Sequence, residues 1–246
     1  VGIKGPMGQI ELGRLKSVYK YFGGVKYDAL VTTMLEARGN AGMTKPGGVN
    51  GVARSQWGSS SFVSKHLAYR KKVGPIKLGL TYGPSTNDGS FTAGAMFKKG
   101  GIEAFVTIVD AGDYIKFAGA SNATATDSAS YAATKVGGKF KTGGHSIMFQ
   151  YEMVSENTGV AGAADFEPTQ LFLGYNVKLG KNVFVVNYGA YDSDTANNDA
   201  TYTALAVIHK FSKKTRVFAG YRATAKDNNT GESVISVGMR KVFKGG

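Results

Sequence analysis

The chain has 246 residues, with 30 Lys+Arg against 17 Asp+Glu and a formal net charge of +13. The absence of Cys excludes disulfides, thiolate metal sites and cysteine nucleophiles together. No apolar run approaches the ~20 residues that a transmembrane helix needs; residues 204–208 form about the longest. The one membrane solution that composition leaves open is a β-barrel, whose strands alternate and carry a much weaker hydropathy signal.

In chain order, alternation of apolar and polar residues predicts thirteen strands, since successive strand side chains point to opposite faces. They fall at 1–5, 8–15, 63–71, 76–82, 89–97, 102–110, 128–140, 145–153, 167–178, 182–192, 200–211, 215–224 and 233–243. At 145–153, Ile147, Phe149, Tyr151 and Met153 take one face while Ser146, Gln150 and Glu152 take the other. Short connections rich in Gly and Lys alternate with longer ones at 84–88, 111–127, 155–166, 193–199 and 225–232. That is an up-and-down antiparallel meander with one tight end and one elaborate end. Lysines mark the tight end, and Asp88, Asp127, Glu156, Asp194, Asp199 and Asp227 mark the other.

Residues 16–61 interrupt the meander with a connection too long to be incidental. Within it Tyr27, Leu30, Val31, Met34 and Leu35 recur at helical spacing, with Asp28 as N-cap and Gly39 as stop, which predicts a short helix. No composition break marks a second domain, so residues 1–246 read as a single one.

A soluble sandwich would also alternate. Here, however, the face opposite the apolar one holds Gly, Ala, Ser, Thr and isolated long cations, a poor solvent surface and a reasonable lumen lining. Aromatics such as Tyr69, Tyr82, Phe97, Tyr188 and Tyr221 recur near strand ends, where an interfacial girdle would place them.

Three segments carry a resemblance. The opening, from Val1-Gly2-Ile3-Lys4-Gly5 to Gly13-Arg14-Leu15, resembles the G-L-K-G-x-x-G-x-x-x-x-G-R-L hairpin of Gram-negative trimeric porins of the neisserial and β-proteobacterial type. The run from His209-Lys210-Phe211-Ser212-Lys213 to Tyr221 is similar to that family's Y-x-F-S-K-R-T turn, and Val237 to Phe243 to its V-G-L-R-x-x-F end. The resemblance implies a sixteen-stranded outer-membrane barrel for general diffusion, with 16–61 as the inward-folding constriction loop. It also implies a homotrimer, outer-membrane lipid and lipopolysaccharide as neighbours, and Phe243 as the assembly signal. Family members carry about three strands before this hairpin, so the chain reads as three strands short of a closed barrel. Lys244-Gly245-Gly246 extend past the usual end.

With apolar residues outward, His66, Arg70 and Lys77 face inward, as do Arg216, Arg222 and Arg240. Arg14 shares parity with Ile10 and Leu12, so its inward placement rests on the family match or on a bulge. In the loop, Lys16, Lys20, Lys26, Arg38, Lys45 and Arg54 outnumber Asp28 and Glu36, whereas many general porins have an acidic loop. Such cations concentrate anions in a narrow aqueous path. The expectation is therefore an anion-preferring pore for small hydrophilic solutes, lined by Arg14, Lys16, Lys20, Arg38, Arg54, His66, Arg70, Lys77, Arg216, Arg222 and Arg240.

Neither a cofactor nor a metal is implied: His66, His145 and His209 lie on separate strands without ligand spacing. No P-loop, nucleophile elbow or zinc-protease motif supports an enzyme. Bases spread over every turn, rather than along one stripe, argue against a nucleic-acid partner. Trp57 suits packing of the loop against the wall. The alternative from another class is a soluble or surface-attached β-protein, an adhesin or ligand-binding module working through its long loops.

Overall fold

The computed structural model describes residues 1–44, 62–84, 89–110, 130–157, 165–194, 196–227 and 229–243. Lys45, Arg54, Trp57, Asp88 and Asp127 lie outside them, as do the connection at 111–127 and residues 244–246.

Thirteen strands are present: β1 Gly2–Gly5, β2 Gly8–Lys16, β3 Phe62–Val73, β4 Ile76–Gly83, β5 Ser90–Lys99, β6 Ile102–Asp110, β7 Ser130–Thr142, β8 His145–Asn157, β9 Thr169–Leu179, β10 Asn182–Asp192, β11 Ala200–Lys210, β12 Thr215–Lys226 and β13 Asn229–Lys241. Each pairs antiparallel with the next, in one sheet ordered β1 to β13. The fold is thus all-β, the up-and-down antiparallel meander that alternation predicts, and it has the strand order of the barrel that the resemblance implies. Most strands run 9 to 13 residues, the length a tilted strand needs to cross a bilayer. Tight turns close on Gly74, Gly100, Gly143 and Gly180, each at positive φ, which L side chains adopt only with strain.

The two faces are inverted relative to a soluble protein. Leu78, Leu80, Ile108, Phe149, Leu173, Phe184, Val186 and Leu205 are all exposed. They belong to a continuous outward apolar band, far larger than a monomeric soluble surface carries. Aqueous burial cannot be what stabilises such a face, whereas hydrocarbon accommodates it.

Inside the curve sits the segment after β2. Its apolar residues Val18, Phe22, Tyr27, Leu30, Leu35 and Met43 form one buried cluster with Met96, Phe105, Met148, Phe172, Val185, Tyr202 and Ile208 of the strands' inner faces. Those partners run from β5 to β11. Laid flat at ~4.8 Å per strand they would spread over about 30 Å, so the sheet curls around the segment. Gly189 on β10 makes room for it: a Cβ there would collide with the Gly42 backbone.

The predicted helix over 27–35 is not formed. The helix is α1, Val18–Phe22, with Ser17 Oγ accepting from Lys20 N at 3.2 Å, followed by a 3-10 turn at Gly24–Tyr27. From Asp28 onward the chain makes successive turns, with Thr33 N donating to Leu30 O at 3.1 Å and Glu36 N to Thr33 O at 3.3 Å. Thr32 takes φ 69, which ends any helical run. The spacing of Leu30 and Leu35 reflects contact with several strands at once, and Met34 stays exposed. Asp28 caps the turns instead of a helix: its carboxylate accepts from Leu30 N at 2.8 Å and Ala37 N at 2.8 Å.

Candidate functional site

Alternation places the charged groups of the inner face, and the buried segment organises them. On β6, Glu103 shares the inward face with Phe105, Thr107 and Val109, all buried. It accepts from Lys26 Nζ at 3.0 Å and Tyr27 OH at 2.5 Å, both from the segment, while Lys98 Nζ of β5 lies at 3.2 Å. Tyr27 stacks on Phe105 with ring centroids 5.5 Å apart, and Lys139 of β7 reaches over the same Tyr27 ring at 5.8 Å. Burial pushes the Lys26 ammonium down to about 8; Glu103 holds it up, and Lys139 and Lys77 push it down further. Glu103 thus binds Lys26 and Lys98 and has Lys139 as its cross-strand partner. Burial, aided by Glu103, raises the Tyr27 hydroxyl well above the usual tyrosine range, so it donates as a neutral phenol.

A second anchor is deeper. Glu152 of β8 accepts from Tyr19 OH at 2.5 Å and Thr44 Oγ1 at 2.7 Å. Lys135 of β7 lies 3.5 Å from the same carboxylate and 3.9 Å over the Tyr19 ring. Both charged groups are almost wholly buried, and a buried pair of this kind holds only when its remaining hydrogen-bonding capacity is met, as here by Tyr19 and Thr44.

The predicted lining residues separate into groups. Arg70 and Lys77 share a cleft of about 260 Å³ with Lys4, Gln9 and Tyr21. Arg70 pairs with Glu11, donates to Lys16 O at 2.7 Å and lies 4.7 Å over the Tyr21 ring. Lys20 is close enough to Lys16 and Arg38 for both to reinforce what burial does, which is to lower its ammonium to about 8. Arg38 is bound to Glu36 at 2.7 Å. Arg222 is buried and paired with Glu232 at 2.7 Å, so its charge is balanced. Arg216 and Arg240 face each other across β12 and β13.

Two placements differ from expectation. The bulge beside Arg14 lies on β3, where Lys65 takes φ 59, so alternation on β2 continues unbroken. Leu15 turns inward and buried, and Arg14 stays exposed on the face of Ile10 and Leu12. His66 does face inward, but it is fully buried against Gly83 and lies 3.0 Å from Ser90 Oγ. It packs the wall instead of meeting water. Arg54 lies outside the described residues, and Phe243 lies exposed beyond the end of β13 with Lys241 Nζ 5.4 Å over its ring.

Glu103, Lys98, Lys135 and Lys139 went unselected by sequence reasoning. On β6 both faces are mostly apolar, so Glu103 gives a weak parity signal, although its position two before Phe105 and four before Thr107 would assign it inward. Lys98 reads as an ordinary turn lysine, and Lys139 lies near the end of the predicted strand 128–140. Among the described residues no three His, Asp or Glu side chains gather as metal ligands do.

Comparison with known proteins agrees with this geometry. A family model described as Gram-negative porin matches residues 1–230. A comparison with curated protein sequences finds no match. Among solved structures, the anion-selective porin from Comamonas acidovorans superposes with TM-score 0.74 at 14% identity, covering 98% of this chain and 76% of that one. OmpT of Vibrio cholerae, in trimer form, gives 0.64 at 13% identity over 97% and 76%. OmpF of Salmonella typhi in complex with daunomycin gives 0.68 at 13% over 96% and 74%. A lumen-filling segment, an outward apolar band and a family match over most of the chain lead to one conclusion: this chain belongs to the Gram-negative porin family, the outer-membrane β-barrels that act as channels rather than enzymes.

Proposed function

We propose that this porin forms an anion-preferring, water-filled pore for small hydrophilic solutes, narrowed by the segment that follows β2. The observation that carries the reading is the single carboxylate of Glu103 held by Lys26 and Lys98, with Lys139 directly across the ladder from it and Lys77 near enough to Lys26 to repel its ammonium. Four ammonium groups against one acid leave net positive charge on the inner wall beside the narrowing element. In a low-dielectric enclosure this raises the local concentration of anions and repels cations. Elsewhere on the inner face Glu11 is offset by Arg70, Glu152 by Lys135 and Glu232 by Arg222.

Assembly as a homotrimer among outer-membrane lipid and lipopolysaccharide, with Phe243 as the terminal aromatic read during insertion, completes the proposal. The trimer form of Vibrio cholerae OmpT, which shares the fold, supports that part. The deciding experiment is reversal potential in a planar bilayer under a KCl gradient. Wild type should reverse toward the chloride potential, and Lys26→Glu/Lys77→Glu/Lys139→Glu toward the potassium potential. Reversal of the wild type toward potassium would sink the anion reading.

A further inference from the structure

Ladder register brings three cations into a row that stability alone disfavours. Lys210 on β11 is the direct cross-strand partner of Arg216 on β12, and Arg216 is the direct partner of Arg240 on β13. All three share the inward face: Lys210 has the parity of buried Ile208, Arg216 that of buried Arg222, and Arg240 that of Val234, the partner of Arg222. Like charges directly opposite one another on a sheet are destabilising. Among the described residues no carboxylate pairs with any of the three, in contrast to Arg70 and Arg222, each of which holds a glutamate.

The row lies at the floor of a niche. The β11–β12 turn borders it, with Ser212 Oγ accepting from Lys214 N at 3.1 Å and Thr215 N at 3.0 Å. Val242 N donates to Lys214 O at 2.9 Å, which ties the turn to the end of β13. The resulting cavity of about 480 Å³ is lined by Lys210, Ser212, Lys213, Lys214, Thr215, Arg216, Arg240 and Val242: five cations and no acid.

We infer that this niche is a binding site for a multivalent phosphoryl oxyanion at the tight-turn mouth of the barrel. Cations on neighbouring strands stand ~4.8 Å apart, so the row presents charge over about 10 Å, wider than one chloride can use and suited to linked phosphoryl groups. Two guanidinium forks supply the bidentate donors that phosphate oxygens accept best. Bound there, the oxyanion neutralises the repulsion among the three cations. The site is distinct from the Glu103 cluster and does not rest on the pore's anion preference.

Pyrophosphate is the probe. Titrated into the purified chain in zwitterionic detergent at constant ionic strength, it should bind with measurable heat and raise the melting temperature. Arg216→Gln/Arg240→Gln should weaken binding by on the order of tenfold or more, while Lys99→Gln, at a different tight turn, leaves it unchanged. In a phosphatidylcholine bilayer, pyrophosphate should block chloride current when added on the tight-turn side. Loss of that block in phosphatidylglycerol bilayers would show that a lipid phosphate fills the same niche. Absence of binding heat in the wild type would overturn the inference, as would equal binding by the double variant. If the double variant does not fold, the wild-type titration alone decides. Cation preference with intact pyrophosphate binding would overturn only the pore's anion reading.

Discussion

Gln150 grips Gly24 at both ends of its amide: Nε2 donates to Gly24 O at 2.9 Å, and Oε1 accepts from Gly24 N at 2.9 Å. One wall side chain on β8 thereby satisfies two backbone groups at the junction of α1 and the 3-10 turn. Replacing Gln150 by Leu removes both bonds and takes the side-chain acceptor from the buried Gly24 N–H, at a cost of roughly 1–3 kcal/mol where that group does not regain water. The expected outcome is a lower melting temperature together with larger, noisier single-channel conductance as the narrowing segment loosens. Conductance equal to wild type in the Leu variant would refute the clamp.

Asp28 governs the turns that follow. Its carboxylate takes Leu30 N and Ala37 N from its own segment and Asn187 Nδ2 from β10 at 2.9 Å. Burial raises it from the ordinary aspartate range to about 6; these three donors pull it down, and Glu36 pushes it up. A carboxyl whose folded pKa is raised binds its proton more readily folded than unfolded. Its stabilising contribution is therefore complete below about 4 and lost as pH rises through about 6. Asp28→Asn offers one acceptor oxygen instead of two, so it should melt lower and lose the part of the pH slope that belongs to this group. Melting curves of both proteins across that window test it, and parallel curves would reject the assignment.

Strand number, face assignment and the special status of the segment after β2 are legible in the sequence, because a period of two survives any curvature of the sheet. Ile147, Phe149 and Met153 fall outward and Gln150 and Glu152 inward, as their alternation demands. What alternation cannot convey is pairing across strands or within the segment. Leu30 and Leu35 look helical because both are buried, yet Tyr202 OH on β11 takes Leu35 O at 2.6 Å, a bond that a continuing helix would have claimed. Glu103 meets Lys26 across 77 positions and Glu152 meets Tyr19 across 133, so neither partnership leaves a local spacing to read. Arg14 shows the reverse: parity assigns it outward, and the bulge that could have turned it belongs to the neighbouring strand.

The approach of Gly189 to Gly42 gives a steric prediction. A Cβ on Gly189 would strike the Gly42 Cα and lie 2.8 Å from Ala41 O, backbone atoms that cannot rotate away. Gly189→Val should therefore displace the bend at Ala41–Gly42, whereas most outward positions on the same strand tolerate exchange among apolar residues. The measurements are single-channel conductance and protease sensitivity of the segment, with Val186→Leu as the outward control. Wild-type values in Gly189→Val would mean that the wall yields instead of the segment.

Selectivity should depend on pH through the segment's own lysines. Lys26 and Lys20 both fall from the usual lysine value of 10.5 to about 8, chiefly through burial. Each is charged at neutral pH and loses its proton as pH passes through that value, well before a solvated lysine would. Two positive charges then leave the narrowing element, and chloride preference should decline over that window without vanishing, since other inner cations remain. For stability the sign is opposite to that of Asp28. The folded state binds fewer protons than the unfolded chain between about 8 and 10.5, so these groups favour folding as pH rises. Reversal potentials in a fixed KCl gradient, followed through the window, supply the check. Lys26→Met should remove part of the decline, and Lys20→Met/Lys26→Met should flatten it. A decline that persists unchanged in the double variant would place the titrating charges elsewhere on the wall.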